Sequence, residues 1–151
     1  MIPNKEQYYP LFIECVEALD ATILSNQETI NLFKIFKKSF PITTWGKIDW
    51  EKIDHKIEIG YDPEDIVSSL EPLFGKKIDT TVYVLWSSAD SPGIKTDLNK
   101  IAKFFDEVIS VAPEKFIFNL EFGYILEILI SDKMTIGVVP ECAKKYGQPS
   151  Q

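Results

Sequence analysis

The pattern of apolar and polar positions is clearest between Thr80 and Val108, and the rest of the chain is organised around that stretch. Val82, Val84 and Trp86 alternate with Tyr83 and Leu85, so both faces of the run are apolar or aromatic. Such a β-branched and aromatic run predicts a strand buried on both sides. Asp90–Gly93 is turn chemistry, with Pro92 fixing φ and Gly93 admitting almost any backbone angle. Ile94, Leu98, Ile101, Phe104, Phe105 and Val108 then recur at helical spacing, predicting an amphipathic helix that packs back on the sheet.

Upstream, Tyr8, Tyr9, Leu11, Phe12, Cys15, Val16 and Leu19 predict a helix within Glu6–Leu24, with Pro10 in or just before its first turn. Ser25, with Glu28 three residues on, forms a capping-box pattern for a second helix that ends before Pro41. The short link between these two helices predicts an αα-hairpin. Ile42–Ile59 fits neither period and reads as one or two short strands or a turn-rich segment. Asp62 followed by Pro63 predicts the start of a helix over Pro63–Phe74, closed by Gly75.

Beyond Val108 the pattern is β: Val108–Val111, Lys115–Asn119, Tyr124–Ile130 and Met134–Val139 are strand candidates, the last two joined by Ser131-Asp132-Lys133. Helices followed by a meander predict an α+β fold: a mainly antiparallel sheet with the helices, two N-terminal and two further, packed largely on one face. Residues 1–140 read as one domain and 141–151 as a loose tail.

A net charge of −7 and a pI near 4.8 argue against direct binding to nucleic acid or to an anionic membrane, because both need a basic face. They suit a basic protein partner. Cys15 and Cys142 read as free thiols of a reducing cytosol rather than as a disulfide. The N-terminus lacks the pattern of a secretory signal, and no apolar run approaches the roughly 20 residues that span a bilayer. These features predict a soluble, cytoplasmic protein.

No catalytic motif emerges. His55, the sole histidine, lies in Asp54-His55-Lys56 and reads as a solvated side chain rather than a triad member. One histidine and two distant cysteines make a zinc site a poor fit, and no calcium loop is present. Phe74-Gly75-Lys76-Lys77 lacks the rest of a P-loop. The reading is therefore a non-enzyme without cofactor; the alternative is a small hydrolase or transferase using carboxylates and a divalent metal.

One stretch has the composition of a binding surface. Trp45 and Trp50 are interleaved with Asp49, Glu51, Asp54, Asp62, Glu64 and Asp65. Aromatic anchors among carboxylates suit a basic protein, the aromatics supplying buried contact and the acids steering the encounter. The competing reading buries both tryptophans in the core and leaves the acids as a solvated face. Trp86 is assigned to the core.

The run VYVLWSSADSPGIKTDLNKIAKFFDEV, followed by FGYILEILISDKMTIGVV, resembles the immunity proteins of bacterial contact-dependent growth inhibition and related polymorphic toxin systems. The resemblance covers about the C-terminal half and is one of pattern. It implies a small cytoplasmic protein that binds one cognate toxin domain and blocks it. Such toxin domains are often basic nucleases, which suits the acidic balance. The resemblance transfers no binding residue to this chain, so the interface rests on the Trp45–Asp65 composition.

Overall fold

The computed structural model describes residues 2, 4–75, 78–86, 91–129, 131 and 133–142. Its frame is one seven-stranded sheet made of β1 (Thr22–Ile23), β2 (His55–Gly60), β3 (Thr81–Trp86), β4 (Ile94–Asp97), β5 (Lys115–Asn119), β6 (Tyr124–Ile128) and β7 (Met134–Val138). Their spatial order is β1-β4-β3-β5-β6-β7-β2, and every neighbouring pair is antiparallel. The helices are α1 (Pro10–Leu19), α2 (Asn26–Ser39), α3 (Asp65–Phe74), α4 (Leu98–Lys103) and α5 (Phe105–Ile109).

Strand alternation divides the core in two. Val82, Val84 and Trp86 of β3, Ile117 of β5 and Tyr124, Leu126 and Ile128 of β6 face α1, α3, α4 and α5. Leu85, Phe116, Phe118 and Ile125 point the other way, onto Leu32 and Phe36 of α2 and onto Ile48 and Ile53. The central strand is thus covered on both sides, as its unbroken apolar run requires. Phe36 anchors the second layer, its ring centroid 4.9 Å from those of Phe116 and Phe118. Trp86 anchors the first, edge-on to Phe12 at 5.7 Å and donating its indole N–H to the Val108 carbonyl at 3.3 Å.

The fold is α+β, with α1, α3, α4 and α5 on one face of an antiparallel sheet and α2 on the other. Several local expectations change. α1 and α2 do not form a hairpin; the chain crosses the sheet edge through β1, and the two helices pack on opposite faces. Ile94–Asp97 is a strand paired with β3, so the helix begins only at Leu98, where Asp97 accepts the Asn99 N–H at 2.7 Å. That helix breaks at Phe104 (φ −116°, ψ 42°). Val108–Val111 is the end of α5 and a turn rather than a strand, because Val108 and Val111 are buried in the layer that holds α1.

Other expectations hold. Pro10 opens α1. The capping box at α2 is complete, with the Glu28 N–H donating to Ser25 Oγ at 3.0 Å and the Ser25 N–H to Glu28 Oε1 at 2.8 Å. Gly75 (φ 80°) ends α3 as expected, but that helix starts at Asp65 with Glu64 as its N-cap rather than at Pro63, because Asp62 accepts the Glu64 N–H at 2.9 Å and closes a turn over Pro63–Glu64 first. Of the expected hairpin loop, Ser131 and Lys133 are described, and Asp132 lies outside the described residues, as do Asp90 and Lys76-Lys77 of the two other segments named above.

Cys15 and Cys142 are buried on opposite faces of the sheet, which rules out a bridge between them. Cys142 donates its S–H to the Leu120 carbonyl at 3.4 Å, so the chain stays attached to the core through residue 142; residues 143–151 are outside the described set.

Candidate functional site

The strand registers decide which of the predicted surface residues lie together. Trp45 sits at the tip of a tight turn closed by the Thr43 N–H donating to the Lys47 carbonyl (2.7 Å) and the Gly46 N–H to the Thr43 carbonyl (3.0 Å). Gly46 adopts φ +84°, a conformation that costs other residues dearly. An antiparallel bridge between Ile42 and Ile48 holds the base of the turn. The consequence is an indole held out on a closed turn with 77% of its surface exposed, the highest value among the exposed large hydrophobic side chains.

Trp50 has another fate. It is half-buried, its indole N–H donates to Glu127 Oε1 at 2.8 Å, and its ring lies over Gly137. It therefore seals the α2 face of β6 and β7, while the neighbouring carboxylates stay outside: Asp49 lies 3.8 Å from the Lys52 ammonium, and Glu51 and Asp54 are exposed. Asp62, Glu64 and Asp65 are exposed at the other end of β2, beside α3. Six strand residues separate the two acidic groups, roughly 20 Å of chain. The stretch is not one patch. It divides into the Trp45 turn, the Asp49–Asp54 group and the Asp62–Asp65 group.

The Trp45 turn and the Asp62–Asp65 group share one end of the sheet. There β5 begins, β6 ends, β7 begins and β2 ends, since Phe116 pairs with Glu127 and Gly60 with Met134. Lys47, one residue past Gly46, forms an ion pair with Glu114 just before β5. Both line a cavity of about 520 Å³ whose floor is apolar, with Pro113, Phe116, Ile128 and Leu129. A second cavity of about 450 Å³ lies under Tyr61 and Pro63, against Phe105 and Asp106 of α5. Ser131, in the β6–β7 loop, borders both.

Residue reasoning did not single out Tyr61 or Leu129, which are 63% and 44% exposed. A signal was available for each: Tyr61 is an aromatic wedged between Gly60 and Asp62, and Leu129 extends an apolar strand into its turn. His55 is exposed at the start of β2. Among the described residues no group of three or more His, Cys, Asp or Glu side chains is placed to hold a metal ion. Nor is any helix there long and apolar enough to cross a membrane.

Compared with known protein families, the chain matches the model described as CdiI immunity protein EcoliA0-like over residues 9–137. The match takes in α1 at one end and β7 at the other, and so includes every strand of the sheet. No curated protein matches the chain significantly.

Proposed function

The chain belongs to the CdiI immunity protein family, and from that premise we propose that it neutralises one cognate toxin domain, a basic nuclease, by covering its active site in the cytoplasm of the cell that carries both. The observation that carries the reading beyond family membership is the rigidly presented indole of Trp45 on an acidic molecule. A large aromatic held out on a closed turn offers apolar area for a partner to bury, and tryptophan is among the residue types enriched in binding hot spots. A net charge of −7 attracts a basic partner and repels nucleic acid, so an acidic inhibitor competes with the nuclease's substrate for the same cationic groove.

In this reading Trp45 is the anchor, and Asp62, Glu64 and Asp65 at the same sheet end steer the approach. Asp49, Glu51 and Asp54 contribute to the long-range field, and Trp50 supports the surface from within. No chemistry is asked of the protein; occlusion suffices, over an interface of about 800 Å² per partner.

The test is a neutralisation assay. The toxin domain is expressed in a host with and without this protein, and nucleic-acid integrity and growth are followed. Survival with intact nucleic acid, together with a one-to-one complex of the purified chains, is the expected result. Degradation at an undiminished rate in the presence of excess protein would remove the reading.

A further inference from the structure

The two cavities on either side of Ser131 form one groove with an apolar lobe and an acidic lobe. The apolar lobe is floored by Pro113, Phe116, Ile128 and Leu129 and bordered by Lys47 at the base of the Trp45 turn. Its charged lining residues are two lysines and two glutamates: Lys47 pairs with Glu114, the Lys115 ammonium donates to the Ala112 and Pro113 carbonyls, and the Glu127 carboxylate accepts the Trp50 indole N–H. The other lobe has Tyr61 on its rim, Asp106 and Glu107 in its wall, and Asp62, Glu64 and Asp65 on the turn that carries Tyr61. Lys103 is its lone cation among the described lining residues, and no ion pair to Asp62, Glu64, Asp65, Asp106 or Glu107 occurs among the described residues.

We infer that this groove is the docking surface for a basic segment of the partner, which places an apolar side chain over Leu129 beside the Trp45 turn and a lysine or arginine among the carboxylates beside Tyr61. The inference rests on the toxin-binding reading above and gives it a location. Leu129 and Tyr61 stand exposed in the linings of the two lobes, and exposed Trp45 sits on the turn whose Lys47 lines the first, a grouping that marks an interaction site rather than scattered surface residues. The lining charges of the first lobe cancel, so the excess negative charge lies in the second, and its sign selects a cationic side chain there, where the Tyr61 ring adds a face for an arginine. The occupant is thus a segment carrying both kinds of side chain, and a purely apolar or an acidic one is excluded by the lobe it cannot fill.

The test uses the full chain and the toxin domain that it neutralises. Trp45→Ala and Leu129→Asp are each expected to weaken the complex by about thirtyfold, the size of a hot-spot loss. Asp106→Lys should cost about tenfold, mostly in association rate at low salt. Gln27→Ala, a neutral change on the exposed first turn of α2 beside the opposite sheet edge, serves as the control and should leave affinity within about twofold. Melting temperatures of all variants report folding, and hydrogen exchange on the wild-type complex should show protection at Tyr61, Leu129 and Ser131. If wild type neutralises the toxin and the groove variants neutralise it equally well, the groove is not the interface while the immunity reading stands. If wild type itself gives no protection, the immunity reading fails and the inference with it. A wild-type dimer dissolved by Leu129→Asp would assign the groove to a second copy of the chain and overturn the proposal.

Discussion

Gly137 and Trp50 illustrate how closely single residues are constrained here. A Cβ on Gly137 would stand 2.7 Å from Trp50 Cζ3 and 3.0 Å from Ile53 Cγ2, closer than carbon atoms tolerate. The indole is fixed from its other side by the bond to Glu127, so it has little room to yield. Gly137→Ala is therefore expected to lower stability by about 1–3 kcal/mol, read as a fall in the urea midpoint, with a change in tryptophan emission as the ring is displaced. Cys15 makes a second residue-scale case. Burial, and secondarily the charge of Glu107, push its thiol up to about 12. A group with a raised folded value favours the folded state fully below its unfolded pKa, and that contribution disappears as pH climbs towards the folded one. Stability should thus decline between about pH 9 and 12, and at pH 8 iodoacetamide should label Cys15 only in the unfolded chain, as mass spectrometry would show.

At the scale of elements, local chemistry was legible wherever the signal is local. The Ser25–Glu28 box closes as its spacing implies, and Ser25→Ala should cost about 1 kcal/mol in thermal or urea unfolding. The backbone and side-chain hydrogen bonds from Ser25 hold the Glu28 carboxyl below its ordinary value. Its contribution is therefore complete above the normal carboxylate range and falls away as acid titrates it. The segments misread from the pattern are those where two rules coincide. Ile94 and Leu98 are four residues apart, as on one helix face, yet Ile94 belongs to a strand and Leu98 opens the next helix. Asp97, capping that helix, is the local sign that the boundary lies there. Val108–Val111 carries β-branched residues into the end of a helix because burial against α1 and Trp86 outweighs a weak propensity.

For the molecule as a whole, the sheet brings the Trp45 turn and the Asp62–Asp65 group to one end and carries the Asp49–Asp54 group away along β2. Long-range attraction depends on all these charges, whereas close complementarity depends on those at one end. Association with a basic partner should accordingly slow as salt rises, and the triple change Asp62→Lys, Glu64→Lys, Asp65→Lys should reduce the rate about tenfold at low ionic strength, with the deficit shrinking towards 1 M salt. Stopped-flow measurement across a salt series decides this; a wild-type rate indifferent to salt would refute electrostatic steering.

The acidic balance, the α+β class, the Ser25 cap and the two-sided burial of the central strand follow from the order of residues alone, because they depend on composition, on near neighbours or on a strand's fixed alternation. The same is true of the acidic character of the candidate surface. Which tryptophan faces outward, how the acidic stretch divides, and that Tyr61 and Leu129 line adjoining cavities emerge only when the chain is folded. Those outcomes depend on strand order and register, which pair residues far apart in the chain: Trp50 is inside because Glu127 and Gly137 wait for it on β6 and β7, and Trp45 is outside because a closed turn leaves it nothing to pack against.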